Sequence, residues 1–598
     1  MRLRIAVIGN DPIVAFASDE LVKYLKMIDP AVRADVLSFA SYAPGYTDVM
    51  WLGTDPVFAE ISKNAAANTL DDSMYISVNN AAGIITGSNP RMVLSAAYRF
   101  LKELGCDWVR PGADGEMIPA RKLSAADVAA HVDEAASYRH RAITIEGAVS
   151  YEHVLNMVDW LPKAALNGYY IQFRTPFTFF DRWYSHLNNP TYENEPLTRD
   201  DVRAMHRSIE REIKKRGLWN GVSLNTNLCY SRADVRDTVT SAIVDYCVEH
   251  PAIDYLHFWL ADDKNNNCEC PECQKMRPSD FYVMMLNELD EKLTAANIPT
   301  KIVFLVYVDL LWAPEYNKIK NPDRFVLMFA PITRTYTHAF TEGMSDTGAK
   351  LTPFNRNKLI MPTSVEQNLS ALRDWQADFP GDSFDFDYHL MWDHIKDPGY
   401  AHNARVVFDD MKNLDKLGLN GMLSCQLQRV ALPDSLPLYA MAAALWNKNT
   451  DYDKMADGYF AAAFGPDGGK VRKYLETVSD LMTPPYLRME LPALSPELQP
   501  KYKAVAPHVD AFIPVIQQNL AAAAGNTLTS WQYLETHAGM LKLLSAALAA
   551  KCTGDNDAAR ESFAAYEKFV QQAEPQLYSV LDVFENIMML RAVIERDA

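Results

Sequence analysis

Between Arg139 and Ser424 eight short apolar runs alternate with helix-sized segments: 142–145, 168–173, 221–224, 255–260, 302–308, 325–329, 383–388 and 421–424. Runs of this length bounded by turn residues read as buried strands. Eight strands with intervening helices in about 290 residues is the count of a (β/α)8 TIM barrel. Their uneven spacing keeps an open doubly wound sheet as the competing arrangement.

The flanks read differently. The 598 residues exceed what one hydrophobic core holds together. Residues 1–135 form a small N-terminal α/β domain. A strand is expected at 3–8, and a helix over 16–28 places Leu21, Leu25 and Ile28 on one face. A hairpin is expected around Asn79-Asn80, and Pro90 opens a helix that Gly105 ends. Residues 136–434 are the barrel. From 435 to 598 strand signals give way to Ala-rich amphipathic segments, a helical C-terminal domain of six or seven helices whose plain role is support.

The formal net charge of −18, with no basic block, argues against a nucleic-acid partner. No stretch reaches the roughly 18 apolar residues of a membrane span. Met1 leads directly into a strand-like run, which fits a cytoplasmic protein or one whose leader has been removed. Eight cysteines in this length are not a disulfide framework, and nothing here sets an oligomeric state.

In barrels the working residues gather at the C-terminal ends of strands. Those ends carry Glu146, Arg174, Asn225, Asp262, Asp263, Tyr307, Asp309, Arg334, Asp387, His389, Trp392 and Asp393. They are carboxylates, amides and rings without a Gly-rich phosphate loop, which suits a hydroxyl-rich ligand better than a nucleotide. Asp262 and Asp263 are the first candidates for catalysis. Adjacent like charges push their pKa values apart, so one carboxyl can stay protonated and donate to a leaving-group oxygen. A solvated strand end or capping pair is the plain alternative. Glu146, Arg174, Asn225, Tyr307, Asp387, His389 and Trp392 are candidate substrate-binding residues. Trp392 offers a stacking platform, and the period-2 face Asp385, Asp387, His389 could deliver a second carboxylate if it reaches the barrel mouth.

Cys268, Cys270 and Cys273 form a C-x-C-x2-C cluster. It could hold a structural zinc with a fourth ligand from elsewhere, His389 or His394, or it could pack as free or bridged thiols. No cofactor is otherwise required.

The segment Ala96-Ala97-Tyr98-Arg99-Phe100-Leu101-Lys102-Glu103-Leu104-Gly105-Cys106-Asp107-Trp108-Val109-Arg110-Pro111-Gly112 resembles the N-terminal domain that precedes the barrel in α-glucuronidases and β-hexosaminidases. Asp262-Asp263, the cysteine cluster, and Arg277-Pro278-Ser279-Asp280-Phe281-Tyr282 together resemble an uncharacterised glycoside-hydrolase-like family, domain of unknown function 4838. The resemblance spans roughly residues 1–465 and implies a carbohydrate ligand. The Asp-Asp pair at the fourth barrel strand is also similar to that of the O-GlcNAc-hydrolysing family. By that likeness Asp262 would orient an acetamido group and Asp263 would be the acid/base. The expectation is a glycoside hydrolase acting on an amino sugar or acidic glycan. A catalytically silent carbohydrate-binding barrel and a metal-dependent hydrolase are the alternatives.

Overall fold

In the N-terminal region, strands β1 (Arg2–Ile8), β2 (Arg33–Phe39), β3 (Met50–Leu52), β4 (Ser73–Asn79), β5 (Ala82–Gly87) and β8 (Ala130–Ala135) form one sheet in the order β2-β1-β3-β5-β4-β8. A two-stranded ribbon, β6 (Asp107–Trp108) with β7 (Glu116–Met117), lies apart. The computed structural model describes residues 1–598 except 63–71, 146–149, 172–179, 181–196, 225–227, 261, 263 and 598.

The turn joining β4 to β5 holds Asn80 and Ala81 at φ 49° and 62°. Two consecutive positive values are what the right-handed twist of a tight hairpin demands. Asp11 caps the helix Pro12–Ile28 by accepting from the Ile13 N–H at 2.8 Å. In the helix Pro90–Glu103, Cys106 N–H returns to Leu101 and Gly105 N–H to Lys102. With Gly105 at φ 96°, this is the paired carbonyl closure that only a glycine makes cheaply.

The barrel strands are β9 (His140–Ile145), β10 (Gly168–Ile171), β11 (Trp219–Leu224), β12 (Tyr255–Phe258), β13 (Lys301–Val306), β14 (Phe325–Phe329), β15 (Asp382–Leu390) and β16 (Gly421–Gln426). All are parallel to their neighbours, and β16 pairs back onto β9, so the sheet closes. The chain is thus mixed α/β with helices outside a curled parallel sheet. One connection departs from the expected alternation. Between β13 and β14 the chain forms only 3-10 turns, Val308–Leu311 and Pro322–Arg324. That stretch is short and interrupted by Pro314 and Pro322, which leaves no room for a helix and its return. Buried Asp280 holds it instead, accepting from the N–H groups of Glu315, Tyr316 and Asn317.

Rings fill the lower barrel. Phe384 lies 4.8 Å from His140 and 6.3 Å from His257, which stacks at 4.3 Å on Tyr170. These residues enclose a cavity of only about 50 Å³. Burial, aided by His140, pushes His257 down to about 3 and keeps it neutral. A buried ion pair ties the N-terminal sheet to the base of the barrel: Arg141 on β9 meets Asp72, beside β4, at 2.6 Å. Arg91 reaches the same carboxylate at 3.0 Å. Burial opposes the charge on Asp72, but the two guanidinium groups outweigh it and hold the carboxyl well below its usual range.

From Leu436 onward every described element is helical. Seven are longer than ten residues, from Leu436–Trp446 to Val583–Glu595. They dock on the barrel where Val430 bridges Leu581 and Ala431 N–H donates to Val580. Arg488 reaches back to Asp393 at the upper rim.

Candidate functional site

Strand phase decides which side chains face the lumen. On β12 and the residue after it these are Tyr255, His257 and Trp259. On β15 they are Phe384, Phe386 and Tyr388, as the contacts of Phe384 with His140 and His257 and of Phe386 with Trp259 require. The upper end therefore carries a run of rings. Tyr307 lies 6.4 Å from Trp259, Trp259 5.6 Å from Phe386, and Phe386 5.3 Å from Tyr388. Tyr388 stacks on half-buried Trp392 at 5.7 Å, with planes 2° from parallel. Tyr307, Trp259, Phe386 and Tyr388 are buried, so of this run only Trp392 offers part of a ring face to the outside.

Asp262 stands at this rim. It follows the end of β12, is exposed, and its Oδ1 accepts a 3.0 Å hydrogen bond from the Tyr307 hydroxyl. The loop beyond it is latched on two sides. Asn265 N–H and Asn267 Nδ2 donate to buried Asp309. Asn267 and Asn357 exchange backbone and side-chain hydrogen bonds at 2.8 Å, and Leu359 N–H donates to Asn265 at 2.8 Å. Asp309, read from the sequence as a strand-end residue, thus serves the loop.

The loop then delivers Cys268, Cys270 and Cys273. The fourth member of their group is Cys229, on the segment that follows β11, and the four Sγ atoms lie within 4.8 Å of one another. This corrects the expectation of a histidine. His389 sits in a separate cluster, and His394 lines a small cavity with Tyr400 and His537. Cys229 escaped the sequence reading because it lies 39 residues before Cys268. Its signal was its place just past a strand end, on the same side of the barrel as the cluster.

Asp387 and His389 are also corrected. Their side chains are fully buried, on the face of β15 opposite the lumen. There Asp387 accepts from the Tyr336 hydroxyl and lies 3.3 Å from Arg334 Nε. His389 Nε2 lies 2.8 Å from Asp410 Oδ2, on the helix Ala401–Lys412, and 2.9 Å from Arg334 Nη2. Arg334 also pairs with Asp410 and lies 3.9 Å over the Phe340 ring. Asp387, His389 and Asp410 have metal-ligand spacing, but the Arg334 guanidinium already occupies their common approach with positive charge. The set suits an ion-pair network. Burial works against the charge on Asp410, yet Arg334 and His389 outweigh it and lower its pKa. For Asp385 the pull of Arg334 is outweighed: burial, then repulsion from Asp387, pushes its carboxyl well up.

Glu146, Arg174, Asn225 and Asp263 lie outside the described residues. Of the other candidates, the structure brings together Asp262, Tyr307 and, along the aromatic wall, Trp392. It places Asp387 and His389 elsewhere.

Residues 110–476, more than half the chain, match the sequence profile of the family described as Domain of unknown function (DUF4838). The chain belongs to this family. No curated protein matches it. Solved structures similar to this DUF4838 chain are glycoside hydrolases. One is a family GH115 4-O-methyl-α-glucuronidase with specificity for decorated arabinogalactans: 13% identity, TM-score 0.59, covering 100% of this chain and 80% of that one. Another is a GH138 enzyme targeting pectin rhamnogalacturonan II: 10% identity, TM-score 0.55, covering 98% and 74%. A third is a GH89 protein from Clostridium perfringens in complex with GlcNAc-α-1,4-galactose: 10% identity, TM-score 0.52, covering 97% and 70%. At these identities the likeness is one of fold: the DUF4838 chain has a glycoside-hydrolase-like fold. No described helix is long and apolar enough to cross a membrane.

Proposed function

We propose that this DUF4838 protein is a (β/α)8 glycoside hydrolase that cleaves a glycosidic bond in an amino sugar or acidic glycan at the upper rim of its barrel. The observation that carries the reading is Asp262: an exposed carboxylate at a strand end, hydrogen-bonded by Tyr307 and set beside the ring wall from Trp259 to Trp392. The glycoside-hydrolase fold of the neighbours supports it. So do two of those neighbours in particular: one is in complex with GlcNAc-α-1,4-galactose, and another is a 4-O-methyl-α-glucuronidase.

In this mechanism Asp263 is the general acid. It protonates the glycosidic oxygen as the bond to the anomeric carbon breaks and the substrate's acetamido oxygen bonds that carbon, and it later takes a proton from the water that displaces the acetamido oxygen. Asp262 orients a substrate acetamido group or stabilises the positive charge that develops on the ring. Tyr307 fixes its rotamer, so that orientation is set before substrate arrives. A sugar face stacks on Trp392, the partly exposed ring at the end of the run. Where the substrate has no acetamido group, a second carboxylate is needed. Glu146 is the candidate for it, and Asp387 is withdrawn because Arg334 and Tyr336 already engage it. A separation of about 5–5.5 Å between the carboxyls gives retention, and about 6.5–9.5 Å gives inversion.

The solvent exposure of Asp262 favours one other reading, a barrel that binds sugar without cleaving it. A screen of defined glycans with analysis of the product anomer separates the two. Cleavage abolished by Asp263→Asn establishes the hydrolase. Binding without cleavage across the screen establishes the silent barrel.

A further inference from the structure

We propose that Cys229, Cys268, Cys270 and Cys273 form a closed tetrathiolate zinc site that staples the loop bearing Asp262 to the end of the neighbouring strand β11. All four Sγ atoms lie within 4.8 Å of one another. Cys229 Sγ is 3.7 Å from Cys270 Sγ and 3.8 Å from Cys273 Sγ. A tetrahedral zinc with Zn–S bonds of about 2.3 Å has S–S edges of about 3.8 Å. A disulfide would bring one pair to about 2.05 Å, and all four cysteines are unbridged.

The surroundings are those of a ligated set. Cys273 N–H donates to Cys270 Sγ at 3.4 Å across the C-x2-C turn. The Ser231 hydroxyl lies 3.4 and 3.6 Å from the sulfurs of Cys229 and Cys270, to either of which it can donate, and Cys273 Sγ donates to its oxygen at 3.2 Å. Groups of this kind stabilise thiolates and orient them on a metal. Four thiolates on a divalent ion leave a charge of −2, and Arg356 lies against the loop. Its guanidinium donates to the carbonyls of Cys268, Cys273 and Met276. Thiolate-only tetrahedral sites select zinc or iron. With four protein ligands no position stays open for water or substrate, so the ion is structural.

Its consequence follows from chain position. Cys268 lies six residues after Asp262, and Cys229 five after the end of β11. The ion would therefore close two strand-end segments into one rigid rim, with the Asp309 and Asn357 latches on the far side. Any effect of that rim on turnover rests on the hydrolase reading, whereas the metal content does not.

The test is elemental analysis of the full chain purified under thiol reductant without chelator. One zinc per chain is expected. Cys229→Ser is expected to keep less than about a tenth of it against a chelator that leaves the wild type loaded, while Cys106→Ser, in the N-terminal domain, keeps it all. If Cys229→Ser does not fold, cobalt(II) exchanged into the wild type decides. The strong absorption of tetrahedral cobalt thiolate supports the site, and a weak octahedral spectrum overturns it. Zinc-free protein that stays zinc-free after refolding with zinc overturns the proposal. So does a mass two hydrogens light, the mark of a disulfide, and iron in place of zinc overturns the choice of ion. Loaded zinc together with unchanged turnover in Asp263→Asn would leave the staple standing and remove the hydrolase reading.

Discussion

Two acidic groups sit at the upper ends of barrel strands, and they are opposites. Asp262, beyond β12, is exposed and touches one hydroxyl. Asp387, on β15, is sealed between sheet and helix with Arg334, Tyr336, His389 and Asp410. The same side-chain chemistry stays open to solvent in one place and serves cohesion in the other. Position makes the difference: Asp387 lies within β15, on its outer face, whereas Asp262 lies on the loop four residues past the end of β12.

The largest expected effect tests the cohesive side. Arg334→Met leaves Asp387 and Asp410 buried without their cation, and should cost about 3–5 kcal/mol in urea unfolding. A variant as stable as wild type but inactive would move that cluster into the active site. Its acid sensitivity has a defined sign. Asp410 and Asp72 have lowered pKa values, so their contribution is complete above the ordinary carboxylate value of about 4 and is lost as pH falls through the folded-state values. Next comes Asp263→Asn, expected to cut turnover about 100-fold and to leave the urea midpoint unchanged. Unaltered turnover on an identified substrate would end the assignment. Tyr307→Phe frees the Asp262 carboxylate to rotate, and kcat should fall about three- to tenfold, the scale of one ordinary net hydrogen bond. No change there would mean that the bond does not position Asp262 for catalysis. The smallest effect is Asp385→Asn. With its pKa raised, Asp385 loses stabilising effect as pH rises. The amide should therefore be about 1 kcal/mol more stable at pH 7, with the advantage shrinking towards pH 4. A destabilised amide would mean that Asp385 is held as an ion.

Much of the fold was legible before the structure. Residues 325–329 and 168–173 read as strands, and the described strands Phe325–Phe329 and Gly168–Ile171 start where expected because their apolar runs are bounded by turn residues. The helix at Pro90 was equally plain, having both its cap and its terminal glycine. The missing helix after β13 was foreshadowed by two prolines in a short span. β15 misled for a physical reason. Its Phe-Asp-Phe-Asp-Tyr-His alternation looks like a half-wet strand with acids facing a mouth, yet from Ser383 to Leu390 every residue is buried. Alternation marks two faces but does not say which one is inside when neither meets water. Cys229 was missed because linear spacing hides a ligand carried by a neighbouring strand. Asp309 was found, but its role in bracing the loop depends on Asn265 and Asn267, which only folding brings beside it.

The packed rings beneath the site, His140, Tyr170, His257 and Phe384, give the barrel a floor. Any ligand at the rim meets packed side chains beneath it, so it comes and goes from above, past the loop that carries Asp262.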